Sequence, residues 1–109
     1  MNDGPVVDSH VHAGGSYAPL ADTWPLLDAV GVTHVVLVQQ LDRYDNTELL
    51  AESRDDRVLE VIVGVDLDEL ECSVVAADLL AHPKVRGVRF PRTGSWERPA
   101  DPRLWPVLD

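Results

Sequence analysis

The sequence predicts an α/β fold of four parallel βα units, and three observations point to it. Four short β-branched runs, "PVVDSHVH" (5–12), "THVVLVQ" (33–39), "VLEVIVGV" (58–65) and "KVRGVRF" (84–90), begin about 25–30 residues apart, the length of one βα unit. The second and third runs are almost continuously apolar, as strands covered on both faces are. Helical patterns fill the gaps between runs, and such alternation implies a parallel sheet with right-handed crossovers.

The elements follow in chain order. The first run carries Asp8, His10 and His12 at alternate positions, so on a regular strand their side chains leave one face. Leu20, Trp24, Leu27 and Val30 keep the spacing of one helical face, and Gly31 follows where a helix wants a left-handed cap. His34 opens the second strand, on the side of such folds that serves stability, and reads as structural. Asn46 is a suitable N-cap for "TELLAESR", with Leu49 and Leu50 as its apolar side. Leu70, Val74, Ala77 and Ala81 mark one face of what reads as the longest helix, with Asp66 as a candidate cap ahead of it and Pro83 as its stop. Cys72 lies within that helix with no base near it in sequence, so it reads as a buried thiol. His82, in "AHP" ahead of the fourth strand, reads as structural. The stretch Pro91 to Pro102 is the only long irregular one, and "DPRLWPVLD" looks like the start of a fourth helix.

Bulk properties narrow the function classes. Lys plus Arg is 9 and Asp plus Glu is 19, a formal charge of −10 spread along all 109 residues. Such a surface repels phosphate backbones and anionic lipid, so neither nucleic acid nor membrane is an expected partner. One cysteine permits no internal disulfide, which fits a reducing compartment. No apolar run approaches the roughly 20 residues of a membrane span, and "MNDGP" lacks the features of a signal peptide. The expectation is a cytoplasmic soluble protein.

Four strands are half of the complement of a TIM-type (β/α)8 barrel, which takes about 250 residues. The expected architecture is therefore the N-terminal half of such a barrel over residues 1–109, with strands in the order 1-2-3-4, helices on one face and the chain stopping after the fourth strand. Open edges and an uncovered inner face make a homo-oligomer the expected assembly. In parallel α/β folds, chemistry sits at the C-terminal ends of the strands. Here those ends carry His10 and His12, then Gln39 and Gln40, then Asp66, then Arg89. Two imidazoles at i and i+2 can converge on one divalent ion, and neutral imidazole suits zinc, manganese or iron. Arg89 is suited to a substrate carboxylate, or equally to an ion pair with Asp66. Arg86 reads as a surface residue, while Tyr44 and Trp96 sit on loops where they either line a pocket or stand as exposed aromatics.

"VVDSHVH" resembles the opening strand of the amidohydrolase superfamily, with its D-x-H-x-H-like start. More narrowly, "LLDAVGVTHVVLVQ", "DNTELL", "VIVGVD" and "VRGVRF", in that order, resemble the N-terminal portion of amidohydrolase family 2, the predicted TIM-barrel metal-dependent hydrolases. That branch holds lactonases acting on sugar lactones and on pyrone dicarboxylate, and also decarboxylases. The resemblance implies a metal, zinc first and manganese second, at His10 and His12, with a small-molecule substrate contacted by Gln39 and Arg89; Tyr44 is a further substrate-binding candidate from its place on the loop. The same resemblance implies hydrolysis of a lactone or related carboxylate-bearing carbonyl compound; the alternatives are decarboxylation or a non-catalytic truncated half-barrel. Family members place further ligands after the fifth, sixth and eighth strands, which this sequence does not include, and some lactonases of the branch work without a metal.

Overall fold

The computed structural model describes residues 4–14, 17–41 and 43–89. The loop Pro91–Pro102 with Trp96, and the fourth helix expected over 101–109, lie outside the described residues. Strands β1 (Val7–Val11), β2 (His34–Val38), β3 (Val58–Gly64) and β4 (Val85–Arg89) alternate with helices α1 (Leu20–Ala29), α2 (Thr47–Glu52) and α3 (Cys72–Leu80). The four strands form one parallel sheet in the order β1-β2-β3-β4. The regular spacing of the β-branched runs leads to this topology, because each helix returns the chain to start the next strand beside the last.

The helices cover one face. Val35, Leu37, Val61 and Val63 are fully buried and share a core with Leu20 and Trp24 of α1 and Leu49 of α2. Leu79 and Leu80 of α3 pack against the same core, as does Val88 of β4. The partners Val36 and Glu60, and Val38 and Ile62, alternate with these residues and belong to the other face.

Helix α1 ends as its sequence requires. Gly31 is left-handed at φ 83°, its amide bonds Asp28 O at 3.1 Å, and the Val32 amide bonds Leu27 O at 2.9 Å. These are the paired bonds of a Schellman motif, with Val32 folding back toward the core. Val30 is exposed, so the apolar face of α1 stops at Leu27. At the start of α1, the Leu20 amide donates to Glu52 Oε2 of α2 at 3.1 Å, because Pro19 offers no side-chain cap.

Four expectations about helices are corrected. The buried residues of α3 are Cys72 and Ala76, while Leu70 and Val74 are exposed. Small side chains allow the helix to sit close to the sheet, and the Leu70–Val74–Ala77–Ala81 pattern belongs to the opposite side. At nine residues α3 is also shorter than the ten of α1. Asp66 accepts the Asp68 amide at 2.9 Å, closing a tight turn, and does not cap α3, whose N-cap is Glu71.

The fourth correction is Asn46, which precedes α2 but makes no cap bond. Its side chain is buried and reaches across to β3. Oδ1 accepts the Gly64 amide at 2.9 Å and Gln39 Nε2 at 3.1 Å, while Nδ2 donates to Gly64 O at 2.9 Å and Tyr44 O at 3.1 Å. The primary amide thus takes the place of a strand residue where β2 has ended. Asp45 supplies the local bond at the helix start, accepting the Thr47 amide at 3.0 Å.

At the N-terminal end of the sheet, the Arg57 guanidinium lies 3.4 Å from the Trp24 ring centroid. It also bonds Thr33 O at 2.9 Å and pairs with Asp28 at 2.6 Å, while Trp24 Nε1 donates to Asp55 Oδ2 at 2.7 Å. Lys84, ahead of β4, donates to Ser53 O at 2.5 Å and Asp55 O at 3.0 Å, satisfying carbonyls at the end of α2. His34 and His82 fit their structural reading: His34 Nδ1 meets Thr33 Oγ1 at 2.8 Å, and His82 Nδ1 accepts the Lys84 amide at 3.2 Å. Among the described residues no helix is long and apolar enough to cross a membrane.

Two substitutions test this account. Asn46→Ala leaves both polar groups of Gly64 without their partner and should cost about 2–4 kcal/mol in a urea titration. A Cβ at Gly64 would stand 2.2 Å from the Arg43 carbonyl oxygen, whereas one at Gly87 would meet only the tip of Ile62, at 2.8 Å. Gly64→Ala should therefore destabilise markedly more than Gly87→Ala in the same measurement.

Candidate functional site

The C-terminal ends of the strands bring the candidates together around the end of β2. His12 follows β1, and its Nδ1 lies 2.7 Å from Val38 O. A carbonyl can only accept, so in the neutral imidazole the proton sits on Nδ1 and the lone pair on Nε2. Arg89 ends β4 and donates Nη1 to Gln39 O at 2.9 Å. Successive carbonyls along a strand point to opposite neighbours, so Val38 takes His12 from the β1 side and Gln39 takes Arg89 from the far side. Arg89 pairs in register with Gly64, which puts no side chain between it and β2. The ion pair between Arg89 and Asp66 considered from sequence is not formed; a backbone carbonyl takes its place.

His10 and His12 stand close. Their ring centroids are 5.0 Å apart and the rings nearly perpendicular, at 88°. Two imidazoles bound to one tetrahedral ion have centroids about 5 Å apart, given metal–nitrogen bonds of about 2.0–2.1 Å. Asp8 does not join them. It pairs with Val35, whose side chain lies in the helix-covered core, and the register slips by one residue before Val11 meets Leu37. The Asp8 carboxylate instead accepts the His10 amide at 3.1 Å. Among the described residues no group of three or more His, Cys, Asp or Glu side chains converges to hold a metal ion.

Gln39 is buried and its amide works inside the fold. Nε2 donates to Asp45 O and Asn46 Oδ1, both at 3.1 Å, and Oε1 accepts the Gln40 amide at 2.8 Å. It also lines a cleft of about 30 Å³ with Ala13, Gly14, Gln40, Arg43 and Glu48. That volume admits about one water molecule. His10, His12, Tyr44 and Arg89 do not line this cleft. Tyr44 is half-buried and its carbonyl accepts Asn46 Nδ2. Cys72 is buried, as its position within a helix suggests.

Sequence reasoning missed the bridging role of Asn46 and missed Tyr17 altogether. Asn46 carries the same signature whether it caps a helix or bridges strands. Tyr17 packs its ring against His12, centroids 4.9 Å apart with the planes tilted by 31°. Its only sequence signal is an aromatic residue five positions beyond His12, on a glycine-rich loop.

Comparisons with protein-family models, curated proteins and solved structures give no match for this chain.

On the rim of the cleft, the Asp45 carboxyl is held below the ordinary aspartate range by hydrogen bonds from the Thr47 hydroxyl and amide, with the Arg43 charge adding to the effect. A depressed folded-state value stabilises the fold above the unfolded-state value, and that contribution is lost as pH falls through the folded one. Thr47→Ala should move the Asp45 titration upward, toward the ordinary value. Carbonyl-detected NMR over an acid titration reads this directly.

Proposed function

We propose that this chain forms the first four βα units of an amidohydrolase-type (β/α)8 barrel, and that His10 and His12 belong to a divalent metal site serving hydrolysis of a carboxylate-bearing lactone or related carbonyl compound. The observation that carries the reading is the bond from His12 Nδ1 to Val38 O. Metal-binding histidines characteristically give their second ring nitrogen to a carbonyl or carboxylate, which fixes the tautomer and aims the other nitrogen at the ion. The 5.0 Å separation of the rings and the one-sided helix cover support the same reading.

The chemistry follows from these parts. A bound zinc or manganese ion supplies a Lewis acid and an activated water. His10 and His12 would hold it. The Arg89 guanidinium gives one donor to Gln39 O, and its fork has further N–H groups suited to a carboxylate. Catalytic zinc takes three protein ligands, so two imidazoles alone bind weakly. A competing reading, a non-catalytic open half-barrel, is favoured by the absence of a third ligand among the described residues.

Zinc titration followed by NMR separates the two. The ring signals of His10 and His12 should move together, in fast exchange, and a His10→Ala, His12→Ala variant should show no saturable response. Equal binding by both proteins would refute the metal reading. Tight binding with turnover of a carboxylate-bearing lactone would mean that the chain completes its own ligand set, and Arg89→Ala should then raise KM more than it lowers kcat.

A further inference from the structure

We propose that Tyr17 is a positioning residue for His12, its ring packed on the imidazole so that Nε2 is held as a directed acceptor. The inference deepens the metal-site reading above and rests on it for its purpose, but its claim about the ring is separate.

The imidazole of His12 is held from three sides. Nδ1 donates to Val38 O at 2.7 Å. His10 stands edge-on with its centroid at 5.0 Å, and the Tyr17 ring packs against the imidazole with centroids 4.9 Å apart and planes tilted by 31°. A single hydrogen bond fixes one ring atom but leaves the ring free to rock about that bond. A flat ring against the imidazole face removes this freedom, as offset aromatic pairs do.

Tyr17 is in turn delivered by its backbone. Its amide donates to Gly14 O at 2.9 Å, and the Gly14 amide bonds Ala18 O at 3.3 Å. Gly14 sits at φ 78°, in the left-handed region where glycine carries no penalty. These bonds bring an aromatic ring against His12 and not into the core: Tyr17 is 49% exposed and belongs to neither buried cluster. Core packing does not account for its position, whereas contact with His12 does.

Long-range proton–nitrogen NMR at about pH 8, where imidazoles are neutral, reads the His12 tautomer without metal. The wild-type chain should show one tautomer, with Nε2 as acceptor, and cross-relaxation between the Tyr17 and His12 rings. Tyr17→Phe should keep both. Tyr17→Ala should draw the two His12 nitrogen shifts toward averaged values and weaken zinc binding by about threefold to tenfold, the range for an aromatic pair. Tyr17→Leu, which keeps apolar bulk without a flat ring, should behave as the alanine variant; a wild-type pattern there overturns the claim about the ring. Unchanged His12 shifts in Tyr17→Ala, or no cross-relaxation in the wild type, overturn the proposal. If zinc does not bind the wild type while the tautomer still responds to Tyr17→Ala, the positioning role stands and the metal reading falls.

Discussion

The amide of Asn46 grips both polar groups of the Gly64 backbone, and the upper end of the sheet depends on it. Strand β2 stops at Val38, whose partner is Ile62, while β3 runs two residues further, to Gly64. Without a replacement, the Gly64 N–H and C=O would be buried with nothing on the β2 side to bond. A primary amide has the donor and acceptor of a peptide group in nearly the same geometry, so Asn46 continues the ladder as a side chain. This lets the β2–α2 loop fold down over β3, and it leaves the carbonyls of Val38 and Gln39, at the end of β2, for other partners.

Those carbonyls are where the fold meets its candidate chemistry. Val38 ends one central strand and Gln39 follows it, yet they take side chains from the ends of the two outer strands. His12 and Arg89 are therefore oriented by the same stretch of backbone, although 77 residues separate them. The N-terminal end works differently. There Arg57, Trp24, Asp55 and Lys84 lock helix ends and strand starts together through a cation over a ring and bonds to carbonyls. The charged groups at that end face one another and the backbone, whereas at the other end an arginine and two imidazoles face the open side.

Strand order and helix placement were legible in the sequence because β-branched runs and Gly31 report directly on local backbone preference. His10, His12 and Arg89 were legible as candidates because strand ends can be counted off from those runs. Facial detail was less accessible. Asp8 was grouped with the histidines by strict alternation, and a one-residue slip in β1 broke that alternation. The buried side of α3 was misjudged because size and hydrophobicity point to Leu70 and Val74, while close approach to a sheet selects Cys72 and Ala76. Gln39 read as a substrate contact and Asn46 as a helix cap, since no local pattern distinguishes an amide that binds a ligand or caps a helix from one that completes a backbone.

The histidine pair hangs from β1, which among the described strands is hydrogen-bonded on one side only. Strands bonded on both sides open only near the global unfolding free energy, whereas an edge strand frays at much lower cost. The amides of β2 and β3 should thus outlast those of β1 in hydrogen exchange, and the imidazoles ride on the faster-breathing element. The tie from the pair to β2 is one bond, from His12 to Val38, with the Tyr17 ring as the other support of that imidazole. Whatever pairs with the outer edge of β1 would slow that breathing, and so would tune the site from a distance without touching either ring.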